Sequence, residues 1–161
     1  MIKKIIVAGG CFWGLQELIR KEPGVVETRV GYTGGVVENP TYKNHEGHAE
    51  AVEISYDTEK TSYKNLLDFF FRVHNPTTLN QQGNDKGTSY RSAIFYANEE
   101  EEGEAEAFID IVNRSGRWKS PVVTSLERFK TFYLAEDYHQ DYLQKNPEGY
   151  TCHAVYFGSY I

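Results

Sequence analysis

Apolar runs and helical stripes alternate along the first hundred residues. Ile5, Ile6, Val7 and Ala8 dominate a run that predicts a strand over residues 3–8. Phe12, Leu15, Leu18 and Ile19 recur at helical spacing, which predicts a helix over 11–21 stopped by Pro23-Gly24. Residues 25–32 are strand-like, and Val52, Ile54 and Tyr56 alternate along a strand predicted over 49–57. Tyr63, Leu66, Leu67, Phe70 and Phe71 form the apolar stripe of a helix over about 62–73. A further strand is expected over 92–97. Asn98 then caps a helix whose first turn carries Glu99 to Glu102, where the dipole favours negative charge. A short strand over 121–126 and a last helix over about 135–145 precede an irregular tail opening at Asn146-Pro147-Glu148-Gly149.

Through Ala97 the order is β-α-β-β-α-β. This is the split-βαβ pattern of a ferredoxin-like α+β domain, with two helices on one face of an antiparallel sheet. The expected organisation is one domain over 1–161, with a mobile tail from about 147 to 161. Two loops, 33–47 and 74–89, are long for so small a domain, and a site is expected there.

Composition narrows the function classes. The chain has 161 residues, enough for a sizeable core, and its 14% aromatic share includes 12 tyrosines suited to half-buried positions. Net charge is −6 and the basic residues are scattered, which argues against nucleic acid. The apolar run before Gly9 is too short for a signal-peptide core, and no stretch approaches membrane-spanning length. The expectation is a cytoplasmic protein without membrane contact, and nothing calls for more than a monomer.

Chemistry concentrates at Gly10-Cys11-Phe12-Trp13-Gly14, between the first strand and the first helix. A thiol there meets backbone N–H groups and the positive end of the helix dipole, and both favour the reactive thiolate. The only other cysteine is Cys152. In a reducing compartment reactive use is a better reading of the pair than a permanent staple; two buried, inert thiols are the alternative. Phe12 fits the buried stripe, whereas Trp13 falls off it and is free to face a ligand.

Glu50 has the parity of Val52, Ile54 and Tyr56, so a regular strand turns it inward. Desolvation there raises its pKa and makes it a proton donor near neutrality. If the strand begins a residue or two later, Glu50 faces water instead. Tyr42, Asp85 and Tyr90 lie in the long loops and can line a pocket, although a loop tyrosine is more often packing. The five histidines show no metal-ligand spacing and glycine-rich phosphate loops are absent, so no metal or cofactor is expected.

Five segments in order carry a resemblance: Gly10–Gly14, Gly31-Tyr32-Thr33-Gly34-Gly35 through Asn39-Pro40-Thr41-Tyr42, Gly47–Val52, Gly83-Asn84-Asp85 through Tyr90-Arg91-Ser92, and Ala135–Gln140. Together they resemble the A-type peptide methionine sulfoxide reductases over nearly the whole chain. The resemblance implies methionine S-sulfoxide, free or in proteins, as substrate and thioredoxin or another dithiol as reductant. It implies Cys11 as nucleophile, Phe12 and Trp13 as the wall for the substrate methyl, and Tyr42, Glu50 and Tyr90 around the sulfoxide oxygen. Asp85 and His139 would support the pocket.

In that scheme Glu50 supplies a proton, Cys11 becomes a sulfenic acid, and Cys152, the only other thiol, condenses with it. The sequence departs from the family pattern in places. Only Lys43 to Gly47 separate Tyr42 from His48, Gln16 and Asn75 replace common carboxylates, and Cys152 stands one residue later in the tail. Two other chemistries fit a reactive Cys11. One is a thiol hydrolase or transferase using His48 or His139; the other is a sensor that merely oxidises at Cys11.

Overall fold

A computed structural model describes residues 1–161. The chain order is β1 (Ile2–Ala8), α1 (Phe12–Ile19), β2 (Val25–Thr33), β3 (Ala49–Asp57) and α2 (Tyr63–Arg72). A small hairpin of β4 (Gln81–Gln82) and β5 (Asp85–Lys86) follows. Then come β6 (Ala93–Tyr96), α3 (Glu99–Arg114), β7 (Ser125–Arg128), β8 (Phe132–Leu134) and α4 (Tyr142–Lys145). Six strands form one sheet in the order β7-β6-β1-β3-β2-β8, so the protein is mixed α+β with four helices.

The predicted alternation becomes two faces of this sheet. Ile5, Val7, Val30, Tyr32, Val52, Ile54 and Tyr56 pack against Phe12, Leu15 and Ile19 of α1, the aromatic stripe of α2, and Phe108 of α3. The opposite face is thinner: Ile6, Ala8, Ala49, Ala51, Ala93 and Phe95, with Phe129 and Phe132 lying over them. Ser62 caps α2 by accepting the Asn65 N–H at 3.1 Å, and Asn98 caps α3 by accepting that of Glu101 at 2.9 Å.

β1 is flanked by β3 and β6, both antiparallel, with Ala8 opposite Ala51 on one side and Ala93 on the other. The chain leaves this crowded position through Gly10, whose φ of +91° suits glycine, and turns directly into α1. Cys11 is therefore fixed at the carboxyl end of a central strand.

The C-terminal third differs from expectation. The strand predicted over 121–126 forms four residues later and pairs parallel with β6, because α3 carries the chain back across the sheet. The helix expected over 135–145 is broken. Residues before it join β2 as β8, Asp137–His139 form a 3₁₀ turn, and Asp141 takes a left-handed φ of +55° before the four-residue α4. Side chains hold this path open. Gln140 bonds both the N–H and the C=O of Val30 at 2.9 Å, and Gln16 pairs with the Asp141 backbone and carboxylate at 3.1 and 3.2 Å. The end of the tail is anchored on α2, where Tyr156 donates to Arg72 O at 2.8 Å and Tyr160 N–H to Asp68 at 2.7 Å.

Candidate active site

Cys11 is the N-cap of α1, with only 8% of its surface exposed. The helix dipole favours the thiolate, but burial reverses that preference. Desolvation pushes the thiol well above its ordinary range, the Glu50 carboxylate adds to this, and the Trp13 N–H opposes it only in part. The free protein holds Cys11 as a thiol.

Glu50 enters from β3, directly across from Tyr32 of β2, and is 1% exposed. Its Oε1 accepts the Phe12 N–H at 3.2 Å; its Oε2 is buried without a partner. Desolvation pushes the carboxyl up to about 8, against the Phe12 N–H and with help from the charge of Asp85. A carboxyl so placed is neutral at neutral pH and has a hydrogen to give.

Tyr42 and Tyr90 come from the two loops. Both hydroxyls are raised first by burial and next by Glu50, and both feel Cys11 and Asp85, which groups these side chains around one centre. Glu136 secures Tyr42: its Oε2 accepts the Tyr42 N–H at 3.0 Å while its Oε1 accepts the Tyr32 hydroxyl at 2.8 Å.

Phe12 is fully buried in the core cluster, its ring 5.1 Å from that of His139. Trp13 is only partly buried. It stacks on Tyr142 at 3.8 Å and donates its Nε1–H to His139 Nδ1 at 2.9 Å. His139 must then carry its own proton on Nε2, which is buried without a partner, and burial lowers its pKa so that it stays neutral. The result is an aromatic enclosure of Phe12, Trp13, Tyr42 and His139, with the Tyr42 and His139 rings 4.7 Å apart.

Cys152 lies at this same centre, half-buried. Its Sγ is 3.7 Å from Asp85 Oδ2, and it is also close to the backbone N–H of Cys11. Both cysteines are free thiols. Tyr150 donates to the same Asp85 oxygen at 3.3 Å.

His48 sits elsewhere. Its Nδ1 accepts from Gly35 N–H at 3.1 Å and its Nε2 donates to Val37 O at 2.7 Å, so it shapes the first loop. Since the His139 Nδ1 is occupied by Trp13, neither histidine offers Cys11 a base, and the hydrolase reading loses its partner. No group of three or more potential metal ligands forms. Glu136, Tyr142, Tyr150 and His153 also line this region, and no local sequence pattern singles them out. Glu136 lies within a resemblance-bearing segment, but nothing local marks its link to Tyr42, 94 residues away.

Two free thiols at one centre, a buried neutral acid and an aromatic enclosure define a thiol-dependent oxidoreductase. The chain belongs to the peptide methionine sulfoxide reductase family, whose sequence model matches residues 3–159. The MsrA of Nocardia farcinica is 60% identical over 151 residues, covering 94% of this chain and 89% of that protein. MsrA 2 of Rhodopirellula baltica is 59% identical over 153 residues, covering 95% and 91%. Among solved structures, reduced Mxr1 from Saccharomyces cerevisiae superposes with a TM-score of 0.88 at 37% identity, covering 97% of this chain and 91% of that one. No helix here is long and apolar enough to cross a membrane.

Proposed function

We propose that the chain reduces the S epimer of methionine sulfoxide with Cys11 as nucleophile and Glu50 as proton donor. The observation that carries this is the partnerless, buried Oε2 of Glu50 beside the Cys11 turn. The reacting state holds one proton on the pair, with thiolate on Cys11 and the acid on Glu50. Sγ attacks the sulfoxide sulfur while Glu50 protonates its oxygen, and Tyr42 and Tyr90 hydrogen-bond that oxygen as its charge grows. Oxygen passes to Cys11 as a sulfenic acid. The substrate sulfur gains two electrons, Cys11 loses two, and methionine leaves. Phe12 and Trp13 hold the methyl group, while Asp85 and His139 fix their neighbours.

Cys152 then condenses with the sulfenic acid, forming a disulfide and water. Exchange with a dithiol restores both thiols. Thioredoxin suits this step, and the yeast Mxr1, of which a structure in complex with Trx2 superposes with a TM-score of 0.68 at 26% identity, supports it. His153 bonds to Gly9 and Tyr156 and Tyr160 bond to α2, so movement of the tail is confined to residues 147–152. Two free cysteines suit a reducing, cytoplasmic compartment. The central strands β6-β1-β3-β2, antiparallel at every neighbour, favour reading the core as ferredoxin-like with β7 and β8 added at its edges.

Cys152→Ser provides the test. The variant should release about one methionine per enzyme and then stop with thioredoxin as reductant. Undiminished thioredoxin-supported turnover would remove Cys152 from the cycle, and no methionine at all from the wild type would leave Cys11 as a mere sensor.

A further inference from the structure

His153 is the most deeply held residue of the tail. It is buried, and its Nε2 bonds to the carbonyl of Gly9, the residue preceding the Gly10 turn, at 2.5 Å. A carbonyl can only accept, so the ring proton is on Nε2 and Nδ1 presents a lone pair. That Nδ1 is 3.9 Å from the Sγ of Cys152. The adjoining backbone is set by Thr151, whose Oγ1 accepts the His153 N–H at 3.1 Å. α1 leaves room for the ring through Gly14, where a Cβ would collide with both Thr151 Oγ1 and His153 Nδ1.

We propose that His153 is the general base of the resolving step, taking the Cys152 proton as Sγ attacks the Cys11 sulfenic acid. This rests on the resolving role proposed for Cys152. The S–S bond forms as the Cys11 S–O bond breaks. The proton goes from Cys152 Sγ to His153 Nδ1 and on to the departing hydroxide, which leaves as water. Cys152 loses one electron formally, Cys11 gains one, and no outside reactant is needed.

The surroundings explain why a base is required. Burial and the adjacent Asp85 charge both push the Cys152 thiol up, so spontaneous thiolate is scarce at neutral pH. In the resting state Asp85 Oδ2 accepts the Cys152 S–H at 3.7 Å and the Tyr150 hydroxyl at 3.3 Å, and its negative charge opposes the very anion the step needs. His153 is kept neutral by burial, against the Gly9 carbonyl and Asp85, and His74 is the other titratable group that feels it. A neutral imidazole whose other nitrogen is fixed to backbone is poised to accept.

The experiment follows disulfide formation after the methionine burst, by rapid quench and mass analysis, across about pH 6.5 to 8.5. The wild-type rate should be nearly flat in this range. His153→Gln should slow it about 100-fold at pH 7 and make it rise about tenfold per pH unit, following the Cys152 thiolate. A His153→Gln rate lowered by one factor at every pH would reduce His153 to a structural wedge and overturn the proposal. A wild-type rate that itself rises tenfold per unit, at pH values where the methionine burst is faster than disulfide formation, would overturn it without any variant. If the wild type forms no Cys11–Cys152 disulfide, the resolving role of Cys152 fails first, and that outcome is read separately from the pH profile.

Discussion

Glu50 accepts the backbone N–H of Phe12 at 3.2 Å through one carboxyl oxygen, while the other, equally buried, bonds to nothing. A single N–H cannot replace the water a carboxylate loses on burial, so the neutral acid is the resting form. In the proposed reaction the orphan oxygen is the one that donates to the substrate oxygen. The same helix N-terminus that holds Cys11 thus orients the buried acid beside it.

The proton count of this pair fixes a pH profile. With Glu50 at about 8 and Cys11 raised further, the resting pair carries two protons below that pH and the reacting state carries one. Single-turnover methionine release should rise about tenfold per unit toward pH 8 and level above it. Glu50→Gln should lower the rate at least about 100-fold at pH 7 and abolish the levelling, leaving a rise that tracks Cys11 alone. Stopped release measured on both proteins checks this, and an unchanged profile in Glu50→Gln excludes the proton donor.

Trp13 depends on His139 for its orientation. His139→Phe keeps a planar aromatic ring but leaves the indole N–H, at 2.9 Å from Nδ1 in the native site, without an acceptor. An unsatisfied polar group costs about 1–3 kcal/mol, part of which Trp13 avoids by turning to water. The KM for methionine sulfoxide should rise about fivefold or more, with a smaller change in kcat. Steady-state kinetics with free methionine sulfoxide reads both.

Gly14 makes room for the tail, not for the substrate. Alanine is about 1 kcal/mol better than glycine inside a helix, so Gly14→Ala does not weaken α1 by itself. Its Cβ displaces Thr151 and His153 and carries Cys152 away from Cys11. Disulfide formation should slow about tenfold or more, and the melting temperature should fall only slightly, because the helix gain offsets part of the lost tail packing. Thiol titration after one turnover, beside thermal unfolding, measures the two effects.

Asp68 anchors the far end of the tail on α2, accepting from the Ser159 hydroxyl at 3.0 Å and Tyr160 N–H at 2.7 Å. Asp68→Ala strips the acceptors from both and should cost about 1–3 kcal/mol in urea unfolding. The C-terminal residues should become accessible to protease, while the methionine burst, which uses only groups remote from Asp68, should be preserved. A tail as protected as in the wild type would show that packing of Tyr160 and Phe157 holds it without this anchor.

Much of the site was legible because its parts are local. The apolar run into Gly10 places Cys11 at the strand-helix junction, and the two-residue alternation of β3 turns Glu50 inward, as its 1% exposure bears out. The caps Ser62 and Asn98 were equally readable, because a cap and its partner lie three residues apart. The C-terminal third was not. A helical pattern over 135–145 competes with Gln140 bonding to β2 and Gln16 bonding to Asp141, partners 110 and 125 residues away. Those bonds make the broken path the better one, and no local propensity records them.

By itself the sequence determined the main strands and helices through Ala97, though not the hairpin at residues 81–86. It also determined the strand-helix position of Cys11 and the inward acid, since each follows from spacing along one strand or helix. Only the tertiary structure decided the charge state of Cys11. A helix N-terminus favours the thiolate in sequence terms, but enclosure by Glu50, Phe12 and the tail removes the water that would solvate it. Tertiary structure alone also brought Cys152, Asp85 and His153 to the same turn, because solvation and proximity belong to the packed chain and not to any segment of it.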